Sequence, residues 1–427
     1  MAKIDTLKKS DFGFTQIPDN EIVKFESTFG AHHYGRMRLV VRKAEGVWLY
    51  SIDNKKYLDC LAAYSAANQG HNNPAIVKAV IDALHGSYSS VISNVIYTDS
   101  LGTFLKKAAN LPPQLGPRFG NNGNKVLPKN GGVESVETAL KMMRFYGYKA
   151  KGIEDGKQEI IVFDNNFHGR TISVISFSTT EKYKKGFGPL TPGFKSVEYG
   201  NLDAVEKAIT PNTCGILVEP MQGEGGMYQP PDGFLKGLRE ISDKNDLLLI
   251  FDEIQVGLGR TGKLFCFEHE NVIPDGLILG KAISGGLLPL SVFITNTNLM
   301  DMAFQPGSDG STYGGYPLAC VAGSAAIDVI VNDKLPENSQ KMGAILKKKI
   351  LDIAQRSSHV KEVRGRGLFI GIEVKSGDAM TYCRKLLDIG MLANDSHGHT
   401  IRISPPLIIT ENEIDYITER LEKILVD

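Results

Sequence analysis

The chain is 427 residues long, with 48 acidic side chains against 48 lysines and arginines, 42% hydrophobic residues and 22% charged ones. That length leaves room for roughly two to three domains around a large core. A zero net charge with no long block of one sign argues against a nucleic-acid or anionic-membrane partner held by an overall field.

The N-terminal stretch MAKIDTLKKSDFGF carries lysines but no apolar segment, so it is not a secretory signal. Asp5, Asp11 and the lack of arginine make it a poor mitochondrial presequence. Residues 39–58 read as a hairpin-like stretch. From about residue 62 to about 315, short apolar runs alternate with helical patterns. Strands are expected at 125–128, 159–163, 215–218, 247–251, 277–279 and 290–294, several of them apolar on both faces, as buried parallel strands are. A helix is expected over 134–148, its broad apolar face carrying Val136, Ala139, Leu140, Met142, Met143 and Phe145, with Gly147 as a stop signal. The longest purely apolar strand is five residues, far short of the roughly 20 that span a bilayer, so no membrane segment is expected.

Strands alternating with helices mean an α/β domain with a mostly parallel sheet. Beyond it, a helix is expected over 317–331, then helix 342–355, strand 368–374, a helix, strand 399–403 and a last helix over 411–425. The organisation expected is therefore an N-terminal segment, 1–61, packing with the small domain; a large α/β domain, 62–315; and a C-terminal α+β domain, 316–427. Residues 111–124, LPPQLGPRFGNNGN, form a loop. The five cysteines have no CxxC spacing, which reads as reduced thiols in the cytoplasm, and no metal is expected.

Three places carry chemistry. Gly131-Gly132-Val133-Glu134-Ser135 follows a strand and opens a helix, where free backbone N–H groups and two glycines admit a phosphate. Alone, an ordinary strand–helix turn is the commoner reading. Asp252 ends an apolar strand, where a carboxylate can pair with a cationic ring nitrogen or simply cap a helix. Lys281 sits between an apolar strand and the turn Ala282-Ile-Ser-Gly-Gly286. Poor solvation there depresses an amine pKa and suits a Schiff base, although a snorkelling lysine is the plainer alternative.

In combination these parts suit pyridoxal 5'-phosphate, and at this point the chain resembles a class III aminotransferase of the fold-type I pyridoxal-phosphate enzymes. The resemblance runs from about residue 29 to the last helix, on FDEIQVGLGRTG (251–262), LGKAISGG (279–286) and GSTYGG (310–315). Within the class, FGAHHY (29–34), YSAANQGH (64–71), NNFHGRT (165–171), VEPMQGEGG (218–226) and RISPPL (402–407) are similar to the ornithine-type enzymes. The resemblance implies transfer of the δ-amino group of ornithine to 2-oxoglutarate, giving glutamate 5-semialdehyde and glutamate. It implies a Schiff base on Lys281, which also shuttles the proton, and Asp252 on the ring nitrogen. Gln255 would lie near the ring hydroxyl, Phe167 on the ring face, and Gly132 and Val133 at the phosphate. Thr312 would reach the neighbouring subunit's phosphate, which makes a homodimer with shared active sites. Tyr34 and Arg170 would hold the far carboxylate of ornithine. Arg402 would grip the α-carboxylate of glutamate, with Glu224 masking it when ornithine is bound.

The chain departs from the family pattern in places. GRMRLVV follows Tyr34 where prolines are usual, His168 takes an aromatic or small position, Gly131 replaces a hydroxyl residue and Tyr316 an asparagine. The 111–124 loop reads as an insertion. Arg36, Arg38 and His168 are candidates for retuning the substrate end. Alternatives kept open are a transaminase for acetylornithine, lysine or another ω-amine, an amino-acid racemase on the same fold, and a non-catalytic binding module, against which Lys281 and Asp252 both argue.

Overall fold

A computed structural model describes residues 18–86 and 90–426; the leader reading of the first residues falls outside them. Three sheets carry the architecture. Near the N-terminus, β1 (Val41–Glu45), β2 (Trp48–Ser51) and β3 (Lys56–Asp59) form an antiparallel meander. The central sheet comprises β4 (Asn124–Lys129), β5 (Glu159–Phe163), β6 (Phe194–Val197), β7 (Thr213–Val218), β8 (Leu248–Asp252), β9 (Gly276–Leu279) and β10 (Ser291–Asn296). Its order is β4-β10-β9-β8-β7-β5-β6, and only β10 runs against the rest. The third sheet is antiparallel and joins β11 (Val360–Arg366), β12 (Phe369–Val374), β15 (Thr400–Ile403) and β14 (Asn394–Ser396) in that order. A two-residue strand, β13 (Met391–Leu392), leaves this C-terminal region to pair in parallel with β3.

The central strands follow from their sequences. β7 and β8 are buried at every position, and β8 reads Leu-Leu-Ile-Phe-Asp, so neither face tolerates a charge until Asp252 at the carboxyl end. Helix Gly132–Lys149 covers one face of the sheet with Val136, Ala139, Met142 and Met143. Gly147 does not stop this helix. It lies inside it because a Cβ there would meet Cys214 Cβ at 2.7 Å, so the glycine is set by close approach to β7. The mostly parallel α/β sheet with a smaller sheet beside it is the architecture the alternating pattern calls for. The apolar runs did not disclose strands β6, β11, β13 and β14, nor the helices Pro74–His85, Asp99–Ala109, Leu202–Ala208 and Phe234–Lys244.

The stretches meet at Arg260, which is fully buried. Its guanidinium donates to Leu368 O at 2.9 Å, Pro405 O at 2.5 Å and Asn68 Oδ1 at 2.5 Å, and burial lowers its pKa to about 9. One side chain thus ties the loop after β8 to the C-terminal sheet and to the residues that follow the meander. Arg260→Met fills similar volume but strands all three acceptors, at about 1–3 kcal/mol for each. Its urea midpoint should fall clearly below that of the wild type, and an unchanged midpoint would show that water replaces the guanidinium at no cost.

Candidate active site

Parallel strands deliver their carboxyl ends to one edge, where α/β sheets leave a crevice. β4, β5, β7, β8 and β9 are mutually parallel, and the chain beyond each supplies part of one cavity of about 190 Å³. Gly132 and Val133 follow β4, Phe167 and His168 follow β5, and Glu219 and Met221 follow β7. Asp252 ends β8, Gln255 lies beyond it, and Lys281 follows β9. The cavity therefore gathers six of the residues read from the sequence: Gly132, Val133, Phe167, Asp252, Gln255 and Lys281.

Each is held by its local structure. Gly132 begins the helix, so its N–H and that of Val133 are not used inside it. Glu134 folds back to accept from Gly131 N at 2.6 Å and Asn130 N at 3.1 Å, which squares off the turn. Gly169 stands at φ +128, and a Cβ there would strike Val133 Cγ2; only glycine lets the segment after β5 lie against that turn. Phe167 N donates to Glu219 Oε2 at 3.0 Å. Asp252 is buried, accepting from Ile254 N at 3.0 Å on one oxygen and from His168 Nδ1 at 2.7 Å on the other. Gln255 is buried and its Nε2 has no partner in the chain.

Lys281 has φ 47, a left-handed value that costs a lysine energy. Its side chain lines the cavity, and burial pushes its amine down to about 8, with Arg402 adding to the shift and Glu224, Asp252 and Glu219 opposing it. Glu219 moves the other way, up to about 7, because burial penalises its charge. His168 is raised: burial alone would lower it, but the bond to Asp252 and the charges of Asp252 and Glu219 outweigh that.

A second cluster adjoins the cavity. Arg402, on β15, is completely buried and its Nη2 donates to Glu224 Oε1 at 2.8 Å. Its Nε and Nη1 have no partner in the chain. Burial would raise Glu224, but the nearby Arg402, Lys281 and His397 hold its pKa below the usual carboxylate value. Tyr64 lies with its ring 5.0 Å from the Arg402 guanidinium and accepts from Asn394 Nδ2 at 3.2 Å. Tyr64, Asn394 and Glu219 were not singled out from the sequence. Tyr64 and Glu219 lie inside the quoted stretches YSAANQGH and VEPMQGEGG, which was the available signal; Asn394 had none.

Other readings fall elsewhere. Arg170 is exposed at the end of the Phe167 loop, its guanidinium 4.2 Å from the Tyr183 ring and 5.6 Å from the Phe167 ring. Tyr34 is exposed and lines, with Arg36 and Arg38, a separate groove of about 670 Å³ beside helix Asp19–Phe29. Arg36 is occupied by Glu26. Tyr34 is near enough to Tyr64 to add a little to the rise that burial causes in the Tyr64 phenol. Thr312 is exposed on the loop after residue 307 and does not line the cavity. The 111–124 loop is at the opposite edge of the sheet: Arg118 bonds to Asp246 and Leu247 just before β8 and to Asp275 just before β9. It cannot act on a substrate in the cavity. His168 lies beside Asp252 rather than at the substrate end.

These groups suit pyridoxal phosphate. Unspent N–H groups at a helix start meet a phosphate. Asp252 retains lone pairs for a ring nitrogen, the stranded Gln255 Nε2 can donate to a ring oxygen, and Lys281 offers an amine of lowered pKa. Among the described residues no cluster of His, Cys, Asp and Glu is placed to hold a metal ion.

The family model for Aminotransferase class-III matches residues 29–425. The chain is 43% identical over 406 residues to an ornithine aminotransferase of Brevibacillus brevis, covering 95% of this chain and 98% of that one. Among solved structures, an ornithine aminotransferase of Toxoplasma gondii, with partial occupancy of PLP at its active site, superposes with a TM-score of 0.91 at 34% identity, covering 97% of this chain and 96% of that one. An acetylornithine aminotransferase of Elizabethkingia anophelis gives 0.86 at 40% identity, covering 96% and 99%.

The lowered Lys281 value has a kinetic consequence. Only the neutral amine attacks an aldehyde, so uptake of pyridoxal phosphate by the apoprotein should rise with pH through about 8 rather than near the ordinary 10.5. The growth of the visible band against pH measures this, with Lys281→Ala as the blank; a midpoint above pH 10 would contradict the desolvation argument.

Proposed function

The chain belongs to the class III aminotransferase family, and on that footing we propose that it is an ornithine δ-aminotransferase, passing the δ-amino group of ornithine to 2-oxoglutarate. The observation that carries the proposal is the buried Arg402, held by Glu224 through one nitrogen and left with two unpaired N–H groups beside Lys281. A buried guanidinium in that state is under-satisfied, and a carboxylate would complete it.

Pyridoxal phosphate, when bound, supplies an aldehyde that condenses with amines and a ring that draws off the electrons left when a neighbouring carbon loses its proton. The chain does the rest. The Lys281 Nζ, with a pKa of about 8, can take up and return that proton near neutral pH. Asp252 lies at the floor of the cavity, and Phe167 forms its wall. Two substrates must present different amines. Glutamate reacts through its α-amine, which brings its α-carboxylate close to the ring and to Arg402. Ornithine reacts through its δ-amine, so its carboxylate lies far away, where the exposed Arg170 and Tyr34 are the candidates, and Glu224 then keeps Arg402 covered. The likeness to an acetylornithine aminotransferase favours one further reading, in which the donor is an N-acylated ornithine at the same site.

We also infer a homodimer with shared sites. Thr312 is outside the cavity, on a loop held by Asn94 donating to Ser311 O and Gly314 O. The stretch around Asn94 exposes Val95, Ile96 and Tyr97, an apolar surface suited to a second copy. Five buried cysteines, all free, support a reducing cytoplasm, and no helix among the described residues is long and apolar enough to cross a membrane.

Glu224→Ala uncovers Arg402, so it should speed the glutamate half-reaction and slow ornithine relative to it. Arg402→Ala should damage glutamate turnover and Arg170→Ala ornithine turnover, each half-reaction being followed by its spectral change. An unchanged ornithine-to-glutamate ratio in Glu224→Ala removes the main support for ornithine, and a panel including acetylornithine identifies the donor. For the dimer, Thr312→Ala mixed with Lys281→Ala should regain activity, because a hybrid has one site with both defects and one with neither. No recovery once subunit exchange is demonstrated rules the shared site out.

A further inference from the structure

Two arginines stand near the cavity, and they are held in opposite ways. Arg402 is buried, and an acid, Glu224, occupies one of its nitrogens. Arg170 is exposed, and among the described residues no carboxylate or hydrogen-bond acceptor engages it. Aromatic rings hold it instead. Its guanidinium carbon lies 4.2 Å from the centre of the Tyr183 ring and 5.6 Å from that of Phe167, and the two rings meet edge to face at 6.4 Å. Phe167 lines the cavity, so the guanidinium stands beside its wall. The transamination reading gives Tyr183 no task.

The manner of holding decides what an arginine can still do. A guanidinium is flat, with its N–H donors around the edge and none on its faces. An acid takes up edge donors; an aromatic ring attracts the cation through a face and leaves the edge for another carboxylate. An exposed arginine with no such support would move among rotamers, and a substrate would have to fix it at an entropic cost. The chain supplies the ring by a local device. Gly169 against Val133, and Thr171 Oγ1 donating to Glu137 on helix Gly132–Lys149, fix the backbone on both sides of Arg170. The chain then returns through the single turn Glu181–Lys184, where Tyr183 N donates to Thr180 O at 3.0 Å and Lys184 pairs with Glu181 at 3.0 Å. The Tyr183 hydroxyl makes no hydrogen bond among the described residues, so the face of the ring is what this side chain contributes.

We propose that Tyr183 is a positioning residue for the far carboxylate of the amino donor, its ring face holding the Arg170 guanidinium at the cavity wall with the N–H edge free. The proposal rests on the reading of Arg170 as the group that takes that carboxylate. It gives the two arginines distinct duties: Arg402 is covered until a carboxylate displaces Glu224, whereas Arg170 stays uncovered and fixed in place. Lys182, whose ammonium is 5.8 Å from the centre of the same ring, and His397, which senses the charges of both Lys182 and Glu224, are the other basic groups nearby. They are the same in every variant below, so a change in donor preference reports the contact between Tyr183 and Arg170.

The test follows the donor half-reaction of the holoenzyme by its spectral change and compares ornithine with 1,4-diaminobutane, which is ornithine without its carboxylate. Each donor gives an apparent dissociation constant and a limiting rate. Tyr183→Leu keeps an apolar side chain against Phe167 and removes the ring. It should weaken ornithine by about fivefold, the scale of a cation–π contact at a partly exposed site, while the limiting rate and the diaminobutane constant move much less. Tyr183→Phe keeps the ring face and should restore most of the ornithine affinity. In an Arg170→Ala background, Tyr183→Leu should add nothing. An unchanged ornithine constant in Tyr183→Leu would overturn the proposal, as would equal weakening of both donors, equal damage in the Phe and Leu variants, or a further loss in the Arg170→Ala background. If Tyr183→Leu does not fold, fluorinated phenylalanines at position 183 weaken the ring face stepwise at nearly constant shape. Ornithine affinity should then fall in step, and a flat series overturns the proposal. Arg170→Ala alone is the control for the premise: a preference for ornithine over diaminobutane that survives it means that the reading of Arg170 fails, whatever Tyr183 does.

Discussion

Taking an ammonium group out of water is the constraint around which the rest of this molecule is arranged. Lys281 emerges from β9 into a space enclosed by protein, where an unscreened charge is costly. Glu224, Asp252 and Glu219 each favour its charged form, and Arg402 opposes it. None of these four groups is a sequence neighbour of Lys281. They are delivered by the end of β8, by β15 and by the chain beyond β7, so the amine's acidity is a property of the fold and not of its local sequence. Glu219 shows the same dryness from the opposite side: burial raises the acid as it lowers the amine. A water-filled crevice with the same residues would hold an ordinary lysine and ordinary carboxylates.

The two edges of the central sheet divide the labour. At the carboxyl edge, polar groups are left short of partners, as at Gln255 Nε2, His168 Nε2 and two nitrogens of Arg402. At the other edge Asp275 and Asn296 are engaged by several partners. Asp275 accepts from Leu249 N at 2.8 Å and receives Arg118 and Arg239, while Asn296 donates to the carbonyls of Leu115, Gly116 and Gly120. The 111–124 segment belongs to this second edge. Its glycines and asparagines close a turn beneath the sheet, which explains how an apparent insertion leaves the cavity unchanged.

What the sequence disclosed follows from the same physics. β7, β8 and β9 are buried on both faces, so their apolar runs are unmistakable. β6, Phe-Lys-Ser-Val, is an edge strand, and β11, Val-Lys-Glu-Val-Arg-Gly-Arg, carries four charges, so neither makes an apolar run. At the site, Lys281, Asp252 and Gly132 were legible because each sits at a junction between a strand and the next element, where local pattern and chemistry coincide. Tyr64 and Asn394 were not. They are 330 residues apart, and only the fold brings their side chains to one guanidinium. His168 was visible as an oddity, but its neighbour Asp252, 84 residues on, is supplied by another strand.

The placement of Tyr64 adds an argument that no pattern would have supplied. Residues Ala62, Ala63, Tyr64 and Ser65 have φ values of 47, 46, 58 and 77, one left-handed turn built without glycine. Left-handed backbone costs roughly 1–2 kcal/mol for each such residue, so the surroundings must hold the turn in place. Asp59 does much of this. Its Oδ1 accepts from Leu61 N at 2.8 Å and Ala62 N at 3.0 Å, and its Oδ2 is bound by His71 at 2.7 Å. Ser404 N, two residues beyond Arg402, reaches back to Cys60 O at 2.7 Å. The strand that carries Arg402 therefore also anchors the turn that lays Tyr64 over its guanidinium. A right-handed turn would send the Tyr64 side chain in another direction. The strain and the contact with Arg402 are thus two aspects of one arrangement, with the buried arginine at its centre.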